Sequence, residues 1–227
     1  MNGIEIEKFK GKGFVRAFIF AGGKDFCAEK MTDIPDDCDL VIAADSGCET
    51  LKLFSQAVKK IEPHIILGDM DSYSKEKIGE FDSFFMPFPP EKDDTDTALA
   101  VDLAIKIGCD KIIIAGGLGG RLDHTLANVF LLEDIERSGA HGIITDGKNR
   151  AYMARNENIF CRSDRKYLSL IPLDEEICDV KMEGFKYPFI AENLSRRRFV
   201  TVSNEIVTDG AKVIVGKGKA LIVESGD

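Results

Sequence analysis

The first two-thirds of the sequence alternates short apolar runs with stretches of helical periodicity. The apolar runs are continuous and rich in β-branched residues, which is typical of strands in a parallel sheet covered on both faces. Apolar positions between the runs recur at helical spacing, so the order predicts βαβ units with right-handed crossovers. The predicted strands are Val15–Ala21, Leu40–Ala44, His64–Leu67, Lys111–Ala115 and Gly142–Thr145, and the predicted helices are Glu49–Lys60, Thr97–Ile107 and Thr125–Glu136.

The pattern changes after about residue 150, where short strands follow one another and no helix of more than two turns is predicted. A run of strands after a run of βα units indicates a second, all-β domain. The polar turn Asp146–Arg150 places the boundary, which gives domains 1–147 and 148–227. The predicted strands are Ile159–Arg162, Tyr167–Ile171, Cys178–Met182, Phe199–Ser203 and a hairpin of Ala211–Val215 with Ala220–Glu224.

The amino-acid composition of the chain limits the classes of function that it can have. The chain has 227 residues, of which 44% are hydrophobic and 30% charged, so either domain can bury a core without a disulfide or metal. The net charge of −9 argues against a general nucleic-acid binder, which needs a basic face. It leaves room for an anionic small substrate, because a bound divalent cation reverses the local field.

The cysteines and the hydropathy pattern indicate a cytoplasmic protein. The six cysteines form no CxxC pair and match no zinc spacing, so we expect reduced thiols. No run of eighteen apolar residues predicts a membrane helix, and the charged N-terminus lacks the apolar segment of a secretory signal.

Glycines, carboxylates or both follow each of the main apolar runs of the first domain. In an open α/β sheet, ligands bind at the carboxyl ends of the strands, so these segments are expected to form the site. They are residues 21–23 (AGG), 44–47 (ADSG), 68–72 (GDMDS) and 116–124 (GGLGGRLDH), together with 92–97 (KDDTDT) at the start of a helix.

Asp69 and Asp71 give the strongest indication of a metal site in these segments. Alternate residues of an extended segment point the same way, and two adjacent carboxylates stay ionised only beside a cation. Ligands that are all oxygen favour a hard ion such as Mg²⁺. The alternative is an Asp-rich turn that caps a helix around Ser74–Glu80.

Asp93, Asp94 and Asp96 precede or open the second predicted helix. Acidic residues are common at a helix N-terminus, where they cap the helix and offset its dipole. Three carboxylates within four positions exceed what a cap needs, so Asp96 is predicted to complete a magnesium site with Asp69 and Asp71. Thr95 is predicted either to cap the helix or to bond a phosphate oxygen.

Residues 116–124 combine glycines, Arg121 and a helix start. Glycines let the backbone approach a phosphate, helix N-termini favour anions, and an arginine can fork onto phosphate oxygens. The alternatives are that Asp123 caps the helix and that His124 and Asn128 form a solvent-exposed pair, spaced i, i+4.

Four motifs in series, AADSG, ILGDMDS, KDDTDT and GGRLDHTLAN, resemble those of the thiamine pyrophosphokinase family. In the second domain SLIPL, EGFKYPF and VSNEI are similar to the family's substrate-binding β-domain, so the resemblance covers about residues 15–225. It implies a Rossmann-like α/β domain with a mostly parallel sheet, followed by a C-terminal β-sandwich, in a homodimer. It also implies transfer of the diphosphate of ATP to the thiamine hydroxyl, which leaves AMP.

The resemblance also implies roles for individual residues. Asp71, Arg121 and Asp123 are expected to be catalytic, and Asp71 or Asp123 is expected to accept the hydroxyl proton. The chain has no Trp, and Tyr187 stands where many members have one. The expected Mg²⁺ ligands are Asp69, Asp71, Asp96 and Asp93; the ATP-binding residues are Asp45, Gly47, Lys92, Thr95, Gly119, Gly120, Arg121, His124 and Asn128; and the thiamine contacts, across the subunit interface, are Ser203, Asn204 and Tyr187.

Three other functions remain open at this point. A related diphosphokinase would use a pterin alcohol in place of thiamine, a regulatory module would bind nucleotide without turnover, and a metal-dependent phosphohydrolase would need no acceptor alcohol. The segments SNEI and FKYPF favour thiamine, and an undegraded acidic cluster argues against a regulator.

Overall fold

The chain divides into two units, residues 1–147 and 148–227. The computed structural model describes residues 3–68, 83–87 and 94–226, and each unit is described by itself below. No helix in these ranges is long and apolar enough to cross a membrane.

A parallel sheet forms the centre of the first unit. The order of its described strands is β6-β5-β1-β2-β3-β4, and all five neighbouring pairs are parallel. The inner strands are buried along almost their whole length, as expected for continuous apolar runs. The strands are β1 (Arg16–Phe20), β2 (Leu40–Ala44), β3 (Ile65–Gly68), β4 (Phe84–Pro87), β5 (Lys111–Ala115) and β6 (His141–Thr145).

One helix precedes the first strand of this unit, and the other described helices lie between strands along the chain. The described ones are α1 (Gly3–Lys10), α2 (Gly47–Ala57), α3 (Asp96–Ile107), α4 (Leu122–Arg137) and a short 3-10 helix (Ala28–Lys30). From β1 the chain adds β2, β3 and β4 on one side and then returns to place β5 on the other side. The strand order therefore reverses beside β1, and ligands bind in the crevice at such a point.

The second unit consists of two antiparallel sheets that share a core. One sheet has the order β12-β9-β14-β7 and the other β11-β10-β13-β8, and Leu170, Ile222, Val180 and Val213 belong to one buried cluster between them. The strands are β7 (Arg150–Met153), β8 (Glu157–Phe160), β9 (Tyr167–Pro172), β10 (Glu176–Glu183), β11 (Phe189–Ser195), β12 (Asn204–Glu205), β13 (Ala211–Lys217) and β14 (Ala220–Ser225).

The predicted fold class is confirmed, an α/β unit with a mostly parallel sheet followed by an all-β sandwich. The predicted strand Phe199–Ser203 is wrong. These residues form no strand and are mostly turns and bends, and the strand in this region is Asn204–Glu205. Ser203 has a φ of +57°, a left-handed conformation that cannot continue a strand. The predicted helix around Ser74–Glu80 lies outside the described residues.

Candidate active site

A cavity of about 440 Å³ lies at the carboxyl ends of the strands of the first unit. Its wall comes from the residues that follow β1, β2 and β5 and from the first turns of α3 and α4. Two helix N-termini and a glycine-rich turn therefore face one space, an arrangement that favours an anion.

Most of the described residues that sequence reasoning assigned to ATP line this cavity. They are Asp45, Thr95, Gly119, Gly120, Arg121, His124 and Asn128, and the predicted metal ligand Asp96 joins them. Gly47 and Asp123 are not part of the wall. Lys92 and the metal-ligand candidates Asp69, Asp71 and Asp93 lie outside the described residues.

Asp45 combines two unusual features at the end of β2. Its φ is +50°, a left-handed backbone that non-glycine residues rarely adopt, and its N–H donates to the Leu67 carbonyl at 2.6 Å. Its Oδ1 atom is buried and accepts no hydrogen bond from the described residues. A buried carboxylate oxygen without a donor is costly, so it suits a cation or a hydroxyl donor brought by a ligand.

Gly47 is the first residue of α2 and lies outside the cavity wall. A Cβ atom at this position would lie 1.8 Å from the Phe20 carbonyl oxygen, so only glycine lets α2 begin so close to β1. Its position is explained by this packing of helix on strand.

The turn after β5 is held by side chains on both sides. Asn128, buried in α4, donates from Nδ2 to the Gly117 carbonyl at 3.0 Å. The Asp25 carboxylate accepts from the Gly120 N–H at 3.2 Å. The alternative of a solvent-exposed pair therefore fails for Asn128, because the helix turns this amide toward the glycine turn, whereas His124 is exposed.

Arg121 and Asp123 form an exposed ion pair at the start of α4. The Arg121 Nη2 atom lies 2.6 Å from Asp123 Oδ2, and Nε lies 3.1 Å from Oδ1. The Arg121 guanidinium, with help from the His124 N–H, lowers the pKa of Asp123 to about 2. The N-cap residue of α4 is Arg121 and Asp123 lies in the first turn, so the alternative in which Asp123 caps the helix is excluded.

Thr95 caps α3, one of the two roles predicted for it. Its Oγ1 accepts from the Ala98 N–H at 3.2 Å, and Asp96 is the first residue of the helix, half-buried at the cavity wall. Asp45 and Asp96 thus bring two carboxylates to the cavity, the donor type that Mg²⁺ prefers. Among the described residues there is no group of three or more acidic, histidine or cysteine side chains that could hold a metal.

Of the residues that follow β1, sequence reasoning placed Gly22 and Gly23 among the segments expected to form the site but missed Lys24. Gly22, Gly23 and Lys24 line the cavity, and Lys24 adds a cation to it. Their signal was the glycine pair directly after the first apolar run, which by itself is weak evidence for a site.

The candidate thiamine residues lie in the second unit. Asn204 is only 3% exposed, and its amide is bonded to the backbone of Tyr187, whereas Tyr187 itself is 61% exposed. Ser203 is exposed, and its N–H donates to Ser169 Oγ at 2.9 Å.

Comparison with known families accounts for both units. The family model described as the catalytic domain of thiamin pyrophosphokinase matches residues 31–144, and the model of its vitamin B1 binding domain matches residues 156–219. The chain belongs to the thiamin pyrophosphokinase family. The family comprises ATP-dependent diphosphotransferases, so the resemblance seen in the sequence motifs is confirmed.

Two bacterial members of the family show the extent of the likeness. Thiamine pyrophosphokinase of Bacillus subtilis is 29% identical over 92% of this chain and 98% of its own length. The crystal structure of that enzyme from the same organism has a TM-score of 0.82 at 28% identity, covering 93% of this chain and 99% of that one. The structure from Geobacillus thermodenitrificans has a TM-score of 0.78 at 27% identity, covering 93% and 98%.

Proposed function

We propose that this protein transfers the diphosphate of ATP to the hydroxyl oxygen of thiamine, giving thiamine diphosphate and AMP. Membership of the family supports thiamine and ATP as the substrates. The observation that carries the proposal is the cavity, where a glycine turn, two helix N-termini, Lys24 and Arg121 surround a space suited to a polyphosphate.

The charged residues of the cavity are proposed to neutralise and orient the triphosphate. Diphosphate transfer needs in-line positioning and charge neutralisation more than covalent chemistry. Arg121 is proposed to turn its planar fork from Asp123 to phosphate oxygens when ATP binds. The other residues of the proposed ATP site are Lys92, Asp45, Thr95, Gly119, Gly120, His124 and Asn128, whereas Gly47 is not part of the cavity wall and is not retained.

Mg²⁺ is proposed to bind Asp69, Asp71, Asp93 and Asp96. The buried Asp45 oxygen and the Asp96 carboxylate give the described wall the oxygen donors that such an ion needs. At these carboxylates such an ion would supply positive charge to offset the charge of the phosphates.

Asp71 and Asp123 are the proposed candidates for accepting the thiamine hydroxyl proton. Each would lie beside a cation that lowers its basicity, Asp71 beside the proposed Mg²⁺ and Asp123 beside Arg121.

A homodimer with thiamine bound between subunits is proposed, with Tyr187, Ser203 and Asn204 on the thiamine side. Support comes from the exposed apolar stripe of α4, where Leu122, Leu126 and Phe130 recur every four residues. A second copy of the chain is the proposed occupant of this stripe.

The proposed location of the reaction is the cytoplasm. All six cysteines lie in the described part of the chain, and none is in a disulfide. Retention of thiols is typical of a reducing compartment.

The function is tested by offering the purified chain ATP and Mg²⁺ with thiamine, with a hydroxymethyl pterin, or with no acceptor, and measuring AMP. We expect AMP and thiamine diphosphate in equal amounts when thiamine is the acceptor, and neither product in the other two assays. AMP with the pterin supports the related diphosphokinase, phosphate release without acceptor supports a phosphohydrolase, and no turnover in any arm supports a regulator. Each of these three results contradicts the proposal.

The interface site is tested by mixing Asp71→Asn, which is expected to be inactive, with Tyr187→Ala, which is expected to be weakly active when assayed at a thiamine concentration well below its raised KM. If each thiamine site uses the first unit of one subunit and the second unit of its partner, mixed dimers contain one intact site and activity returns. No recovery in a preparation shown to exchange subunits contradicts the shared site.

A further inference from the structure

The side-chain amide of Asn204 forms hydrogen bonds with the backbone of Tyr187. Asn204 Oδ1 accepts from the Tyr187 N–H at 3.1 Å and from the Glu205 N–H at 3.0 Å. Asn204 Nδ2 donates to the Tyr187 carbonyl at 2.7 Å. Both backbone groups of Tyr187 are therefore paired with one side chain.

This pairing extends a short backbone ladder by one residue. The Lys186 N–H donates to the Glu205 carbonyl at 2.8 Å, and Phe185 forms an antiparallel bridge with Ile206. A side-chain amide offers the same donor and acceptor as a peptide group. Asn204 thus replaces the missing strand backbone opposite Tyr187.

The amide has little capacity left for a ligand. Its Oδ1 already accepts two hydrogen bonds, and one of the two Nδ2 hydrogens is used. The residue is 97% buried by the chain around it, since only 3% of its surface is exposed. A direct contact between thiamine and this amide would compete with bonds that hold the segment together.

Tyr187 has the opposite character, because its backbone is fixed while 61% of its surface is exposed. The Lys186 ammonium lies 5.6 Å from the centre of the Tyr187 ring. A ring held on a fixed backbone loses less freedom when a flat ligand stacks on it, which improves binding.

We propose that Asn204 is a positioning residue that holds the Tyr187 ring for thiamine and does not itself contact thiamine. The proposal rests on the proposed function, in which Tyr187 contacts thiamine. It assigns to Asn204 a role different from the direct contact that the sequence motif implied.

Amide exchange of Tyr187 tests the structural half of the proposal. In the wild-type protein without substrates, the Tyr187 N–H is expected to exchange slowly, measured by NMR, because Asn204 accepts its hydrogen bond. In Asn204→Ala, exchange is expected to speed up at least about tenfold at Tyr187, the loss expected when a buried hydrogen bond is removed. Unchanged exchange overturns the proposal.

A double-mutant cycle tests the functional half. Asn204→Ala and Tyr187→Ala are each expected to raise the KM for thiamine about tenfold and to leave the KM for ATP nearly unchanged. In the double variant, Asn204→Ala is expected to add almost nothing, since it acts through Tyr187. Effects that multiply in the double variant mean that Asn204 has its own contact with thiamine, and they overturn the proposal.

Asn158 supplies a matched control in the same unit. Its Oδ1 accepts from the Arg155 N–H at 3.1 Å, and its Nδ2 donates to the Arg155 carbonyl at 2.7 Å, the same two bonds that Asn204 makes to Tyr187. Asn158→Ala is expected to leave both the Tyr187 exchange rate and the thiamine KM unchanged. A rise in thiamine KM equal to that of Asn204→Ala shows a general effect of loosening the unit and overturns the proposal.

Asn204→Ser keeps the test usable if Asn204→Ala does not fold. The serine hydroxyl is polar and small but too short to bond both backbone groups of Tyr187 as the amide does, so a rise in exchange rate and thiamine KM is still expected. No rise in either overturns the proposal. If the wild-type protein makes no AMP from thiamine, the proposed function fails instead, a result that the exchange rate does not influence.

Discussion

The cavity of the first unit and the Tyr187 segment of the second unit differ in which atoms face a ligand. In the cavity they are backbone N–H groups and charged side chains, such as the exposed Arg121. In the Tyr187 segment the polar group, Asn204, is buried and the exposed group is an aromatic ring. The first arrangement suits a polyanion and the second a flat ring, so the cavity is expected to respond to changes of charge and the segment to changes of shape.

Asp71→Asn is expected to cause the largest loss on the charged side. Removing one ligand charge weakens Mg²⁺ binding and lowers AMP formation by at least about a hundredfold, the range found when one electrostatic contact to a transition state is removed. AMP production at saturating ATP is the measurement, with circular dichroism to show that the fold is intact.

Asp102→Asn is the control for this loss, because Asp102 is an exposed aspartate of α3 whose ion pair with Lys106 lies on the helix surface. It should keep normal activity. Normal AMP production by folded Asp71→Asn would refute the assignment of this carboxylate to the metal.

Arg121→Lys is expected to have the next largest effect. A lysine keeps the charge but loses the planar fork, so the KM for ATP should rise about tenfold while the KM for thiamine stays within about twofold. Steady-state kinetics on one preparation give both values. Equal rises in the KM for ATP and the KM for thiamine would mean that the cavity and the Tyr187 segment do not act separately on the two substrates.

Asn128→Ala is expected to act mainly on stability. Its amide supports the Gly117 carbonyl, and leaving that buried acceptor unpaired costs about 1–3 kcal/mol. Thermal unfolding should move down by about 2–4 °C for each kcal/mol lost. A variant that keeps the wild-type Tm would show that the glycine turn does not depend on this bond.

The smallest effect is expected in the titration of Asp123. Its pKa is about 2, below the ordinary value of 3.8, so the ion pair with Arg121 stabilises the fold above about pH 3.8 and is lost as the pH falls toward 2. In Arg121→Gln the pKa should rise toward 3.8, which the ¹³C shift of the Asp123 carboxyl reports. A titration midpoint near 2 in that variant would refute the guanidinium as the main cause.

The sequence predicts the first unit well because its strands are continuous apolar runs. β2 and β5 have the predicted bounds, and β1, β3 and β6 differ by one residue at one or both ends. It does not predict β4 (Phe84–Pro87), where four residues lie among prolines and polar positions and give no period. It also does not predict α1, whose apolar positions lack clear helical spacing.

The second unit was harder because its outer strands show weak alternation. In β11 (Phe189–Ser195) only Leu194 is fully buried, so the sequence gives no signal of a strand there. The motif around Asn204 indicates a site, but no pattern shows that the amide faces the backbone of Tyr187. This hydrogen bond forms because the fold brings two separate segments of the chain together. The hydrophobic periodicity of one sequence gives no information about such tertiary contacts.

The left-handed backbone of Asp45 sets stability and activity against each other at one position. A non-glycine residue held in this conformation costs about 1–3 kcal/mol, and glycine would relieve it. A library of variants selected for heat resistance alone should therefore replace Asp45 by glycine, whereas a library selected for AMP production should retain the aspartate. Directed evolution of this chain toward thermostability should accordingly hold position 45 fixed and seek its gains elsewhere.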